Sequence, residues 1–156
     1  MAISLDIYHR NGFHKLSILD NPYIITKIRE FMSNEYDSNI FNDTFEDMRK
    51  FTELARNKGV LALNEHTVKN KIIQEFIELM IVSVTEYAKV QQERGPYIDF
   101  EFIEYPAFFI IPKILYSDLE PVELVKTVLL YESIIMSITG YSWPWIEHRL
   151  NGVNRR

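Results

Sequence analysis

The chain has 156 residues, is 47% hydrophobic and 13% aromatic, and so is one domain in size with enough apolar mass for a core without staples. It has no cysteine, which excludes disulfides, thiolate nucleophiles and cysteine metal ligands. A net charge of −5 is the opposite of a basic nucleic-acid footprint, and the longest apolar run, residues 107–111, falls far short of a membrane span.

Residues 1–10 lack the long apolar stretch of a signal peptide, so the expectation is a cytoplasmic protein. Residues 3–19 predict a β-hairpin. Asn11-Gly12 is the preferred pair for a type I′ turn, and with it at the tip His9 faces His14, Ile7 faces Leu16 and Leu5 faces Ile18. Ile3, Leu5, Ile7, Leu16 and Ile18 then share one face, as a stable register requires. Asp20-Asn21-Pro22 predicts a helix start, with proline in the first turn where its missing N–H costs nothing, and Ile24, Ile28 and Phe31 as the buried face. Residues 33–42 are polar and aperiodic and read as a loop. Asp43-Thr44-Phe45-Glu46 reads as a capping box opening a second helix through Phe45, Met48, Phe51, Leu54 and Ala55, with Gly59 as its stop.

Residues 60–94 are the longest run without a breaker. Val68, Ile72, Phe76, Leu79, Met80 and Tyr87 recur at helical spacing, with Ile73, Ile77, Ile81, Val82 and Val84 beside them. That width predicts a central helix enclosed by neighbours, with Asn64 as N-cap and Gly95-Pro96 as stop. The β-branched residues 81–85 suggest a strand, but the run is too long for one. Residues 97–105 alternate like a strand, and Pro106 and Pro112 bracket residues 107–111, which fit an edge strand or a short turn of helix. Asp118 and Pro121 open a further helix through Thr139, stopped by Gly140, with Leu124, Val128, Tyr131, Ile135 and Ile138 as its stripe. Trp143-Pro144-Trp145 begins a last helix. The fold expected is a single, mainly α domain over residues 1–156, a helical bundle around a long central helix with an N-terminal β-hairpin. The alternative is an α+β fold with a small antiparallel sheet.

Chemistry is sparse. His9 and His14, opposed on one hairpin face, suit a shared metal or an acid–base pair, but no local carboxylate completes a metal site, and two half-exposed histidines near a turn are commoner. Glu147-His148-Arg149 beside Trp143 and Trp145 suits a partner anchor, or else the tryptophans plug the end of a core. Phosphate-cradling glycine loops, HExxH, nucleophile elbows and EF-hand loops are absent. Neither a metal nor a cofactor is expected. The acids are segregated instead: residues 30–53 carry seven acids against two bases, and residues 99–123 carry six against Lys113 alone.

An acidic segregated surface, a full core and missing enzyme signatures point to a binding protein rather than an enzyme. In size, acidity, lack of cysteine and aromatic-rich helices the chain resembles the small cytoplasmic immunity proteins and antitoxins that neutralise bacterial toxins. The resemblance implies tight one-to-one binding that occludes a toxin's active site. Asp99, Glu101, Glu104, Asp118 and Glu120, with Trp143 and Trp145, would then meet a basic partner such as a toxin's nuclease domain. The other expectations are a small histidine-dependent hydrolase or nuclease using His9 and His14, and a self-assembling structural subunit.

Overall fold

The computed structural model of the protein describes residues 16–94 and 101–154. The chain is mainly α-helical, and no strand occurs among the described residues. In chain order the α-helices of the described residues are α1 (Pro22–Met32), α2 (Asn42–Lys58), α3 (Lys71–Arg94), α4 (Glu101–Leu115), α5 (Pro121–Ile138) and α6 (Trp143–Asn154), with 3-10 helices at Ser38–Phe41 and Val60–Glu65. The expected hairpin, including His9 and His14, lies outside the described residues except at its end. There residues 16–19 form no strand, and Leu16 and Ile18 are buried in the helical core.

Helix ends follow local chemistry closely. Asn21 caps α1 by accepting from the backbone N–H groups of Tyr23 and Ile24, and Pro22 takes the first position, as the sequence predicts. The capping box is not used. α2 begins at Asn42 and runs straight on from the 3-10 helix, which Asp37 caps, so Phe41 stands at its N-cap without a side-chain bond. Gly59 ends α2 at φ +88°, a conformation that glycine reaches without strain. Gly140 ends α5 at φ +98°, where Tyr141 N–H bonds Met136 O and Gly140 N–H bonds Ser137 O, the paired bonds of a Schellman motif.

Two expectations need correction. Residues 60–94 are not one helix: Val60–Glu65 is a 3-10 helix and α3 starts only at Lys71. The cap is Asn70 rather than Asn64. The Asn70 side chain accepts Ile73 N–H (3.0 Å) and its carbonyl accepts Gln74 N–H (3.0 Å), while its Nδ2 donates to Thr127 Oγ1 (2.7 Å) and ties the start of α3 to α5. The ambiguity over residues 97–112 resolves as helix for Glu101–Leu115, because Ile103, Ala107, Ile110 and Ile114 recur at helical spacing and are buried together.

The helix enclosed on all sides is α5, not α3. From Leu124 to Ser137 its side chains are buried, Lys126 apart, and it packs against α1, α2, α3, α4 and α6. Its polar side chains are satisfied inside that packing: Ser133 donates to Leu130 O, Ser137 Oγ lies 2.9 Å from Thr52 Oγ1, and the Tyr131 hydroxyl donates to Leu16 O (2.7 Å). Phe76 of α3 stacks at a tilt on Tyr131, ring centres 5.1 Å apart. Val68, expected in the stripe of the central helix, is buried from the loop before α3.

Candidate partner-binding surface

α4 has two apolar faces, one buried and one largely exposed. With 3.6 residues per turn, Ile103, Ala107, Ile110 and Ile114 fall on one side, toward α3 and α5. Tyr105, Phe108, Phe109, Pro112 and Tyr116 fall on the opposite side within an arc of about 100°. Tyr105 is 72% exposed, Phe108 46%, Phe109 51% and Tyr116 86%. Tyr116 continues the helical path beyond Leu115, its N–H bonding Pro112 O at 2.9 Å. Val82 of α3, the neighbouring helix, is also exposed.

The charges around this stripe are mostly negative. Lys113 donates to Glu75 Oε1 of α3 (2.6 Å) and its ammonium lies 4.5 Å from the centre of the Phe109 ring, so the lone base of the acidic segment is held by a carboxylate and an aromatic face. Glu123 lies 3.8 Å from Lys126. Asp118 and Glu120 project into solvent just after Tyr116, and Glu104 beside Tyr105 is half-buried.

The structure groups some of the expected partner residues and not others. Glu104, Asp118 and Glu120 border the α4 stripe. Asp99 lies outside the described residues, as does the Glu101 side chain. Trp143 is half-buried against the core, and Trp145, half-exposed, stacks on Tyr141 with ring centres 6.3 Å apart. α6 packs chiefly on α5 and α2, so the tryptophans belong to a different surface from the α4 stripe. The aromatics of α4 escaped sequence reading because Phe108 and Phe109 sit between prolines. Their helical spacing relative to Tyr105 and Tyr116 was the signal available.

Two polar groupings were also missed. Glu132, in the middle of α5, is fully buried. Its Oε1 accepts Ile18 N–H (2.7 Å) and Leu19 N–H (3.2 Å), and Ser17 Oγ lies 3.0 Å from both carboxylate oxygens. Burial pushes its carboxyl up to about 7, against the pull of those donors and of the Arg149 charge. Burial, and then the Glu132 charge, raises the neighbouring Tyr131 hydroxyl well above its ordinary value. Elsewhere, His66 Nε2 lies 2.7 Å from Asp47 Oδ1 and the ring packs edge-on to Phe51 at 5.2 Å. Among the described residues no group of three or more histidines and acids converges to hold a metal, and no helix is long and apolar enough to cross a membrane. The chain matches no family model, no curated protein and no solved structure.

Proposed function

We propose that this is a binding protein that neutralises a basic partner domain, in the manner of an immunity protein masking a bacterial toxin, and that it binds with the outer face of α4. The observation that carries this reading is four large aromatics exposed on one side of a single helix. Aromatic rings of this kind bury about 150–250 Å² each and dominate interface energetics, and monomers rarely leave such a contiguous patch in water. The partner is basic because the stripe is bordered by Glu104, Asp118 and Glu120 while Lys113 is already engaged by Glu75. Complementary charge would speed encounter, and aromatic burial would hold the complex. Asp99 and Glu101 belong to the same acidic segment and extend the same reading. A toxin domain that acts on nucleic acid is the natural target class, since it must itself present a positive surface.

The proposal predicts a basic protein encoded in a neighbouring reading frame, and the test uses that protein. The two should co-purify, and their association rate should fall at least about tenfold from low to high salt. Replacing Tyr105 and Phe109 with serine should weaken the complex by about 100-fold or more while leaving the melting temperature of the free protein unchanged. Absence of a basic partner, or equal association rates at low and high salt, would sink the proposal. Light scattering that finds a dimer dispersed by Tyr116→Lys would instead assign this face to a second copy of the chain.

A further inference from the structure

A second surface, separate from α4, has the makings of a small-molecule site. Between α1, the residues leading into it and α6 lies a cleft of about 520 Å³, within the range of ligand pockets. One wall is aliphatic, formed by Leu19, Ile25, Ile28 and Met32. Arg29 enters from α1 and Arg149 from α6. Among the described residues of the lining Asp20 is the lone carboxylate, against two arginines. The Ser33 hydroxyl also borders the cleft but donates to Glu30 O (2.7 Å), which leaves selection of the ligand's head to the guanidinium groups.

Arg149 is set there by the fold. Its neighbours Ile146 and Leu150 are buried and anchor α6, and the guanidinium feels the charge of Glu132 behind it. The Glu132 oxygens already accept from Ser17, Ile18 and Leu19. A guanidinium has five N–H donors in a planar fork, a geometry suited to a carboxylate, and Arg149 lines the cleft from α6. Asp20 offsets one of the two arginines, and Glu132, only partly ionised near neutral pH, offsets part of the other, so the site is only modestly positive. That favours a single negative charge over a multiply charged phosphate, and the aliphatic wall requires an apolar body attached to it.

We propose that this cleft binds small amphipathic monocarboxylates, the carboxylate held by Arg29 and Arg149 and the apolar body lying on Ile25, Ile28 and Met32. The probes are octanoate and octan-1-ol, which share a tail and differ in the head, titrated into the full chain by calorimetry. Octanoate should bind saturably and at least about tenfold more tightly than the alcohol, as charge-assisted pairing to two guanidiniums implies. Arg29→Ala, at an exposed position, should remove most of that difference and leave octan-1-ol binding unchanged. Met32→Trp, which fills the cleft, should abolish binding of both in a protein that stays folded by circular dichroism. Tyr105→Ser on α4 should alter neither, which separates this site from the partner surface. Equal affinity for acid and alcohol, no saturable octanoate binding, binding that survives Met32→Trp, or binding lost in Tyr105→Ser would each overturn the assignment.

Discussion

At Glu132 three donors converge on a carboxylate that water does not reach, and its energetics run against habit for an acid. An acid stabilised by its partners titrates low, but here desolvation outweighs the bonds from Ser17, Ile18 and Leu19, and the folded group titrates at about 7 against an ordinary 4.5. Below pH 4.5 the carboxyl is protonated in both the folded and the unfolded chain. As pH rises from 4.5 to about 7 the unfolded chain releases its proton while the folded protein keeps it, so stability falls across that window. The loss is on the order of 3 kcal/mol for this group. Denaturant unfolding at pH 5 and pH 8 should therefore show a drop in the wild type that shrinks in Glu132→Gln; equal drops in both would refute it. In the sequence Glu132 is visible as a lone acid among apolar residues. Its partners are not, because Ser17 stands 115 positions away and only folding brings them together. The His66–Asp47 pair was hidden because it joins α2 to the chain beyond Gly59, where the sequence reads His66 as part of the central helix.

Elements were legible where one local rule governed them and less so where two competed. Asn21-Pro22 and the two glycine stops stand where local chemistry puts them. Residues 60–70 did not read correctly, because a run without glycine or proline hides a change from 3-10 to α-helix that is fixed by Asn70 reaching Thr127 on another helix. α4 contains the sharpest conflict, since proline is the worst residue for a helix interior and two occur in fifteen residues. Burial of Ile103, Ala107, Ile110 and Ile114 outweighs that penalty. Pro112 is exposed, so its ring contributes little packing while its missing N–H leaves the ladder one bond short. Pro112→Ala should thus stabilise the protein by about 1–2 kcal/mol, the helix gain less the freedom returned to the unfolded chain. A destabilisation of that size in thermal unfolding would mean that α4 depends on the proline.

Across the whole molecule a single apolar core links all six helices of the described residues, with α5 at its centre. Phe76 joins α3 to that centre through Tyr131, and Phe76→Ala should cost about 3–5 kcal/mol. Because the core is shared, near- and far-ultraviolet circular dichroism should report that loss in one coincident transition; a small cost, or two separate transitions, would contradict a common core. The mainly helical class was readable from two wide apolar sectors, but which of them is enclosed was not, since periodicity records the width of a face and not what covers it. The sequence also marked the acidic segment 99–123 as distinctive, without revealing that its aromatics share one exposed helix face. The position of α5 has one more implication, for the order in which the chain is made. The helix against which every other one packs comes fifth of the six. During synthesis α1 to α4 emerge with the faces they turn toward α5 uncovered, and the core has no centre until residues 121–138 have left the ribosome. Completion of this core therefore waits for α5, and the nascent chain is most exposed to aggregation, and most in need of shielding, just before α5 appears.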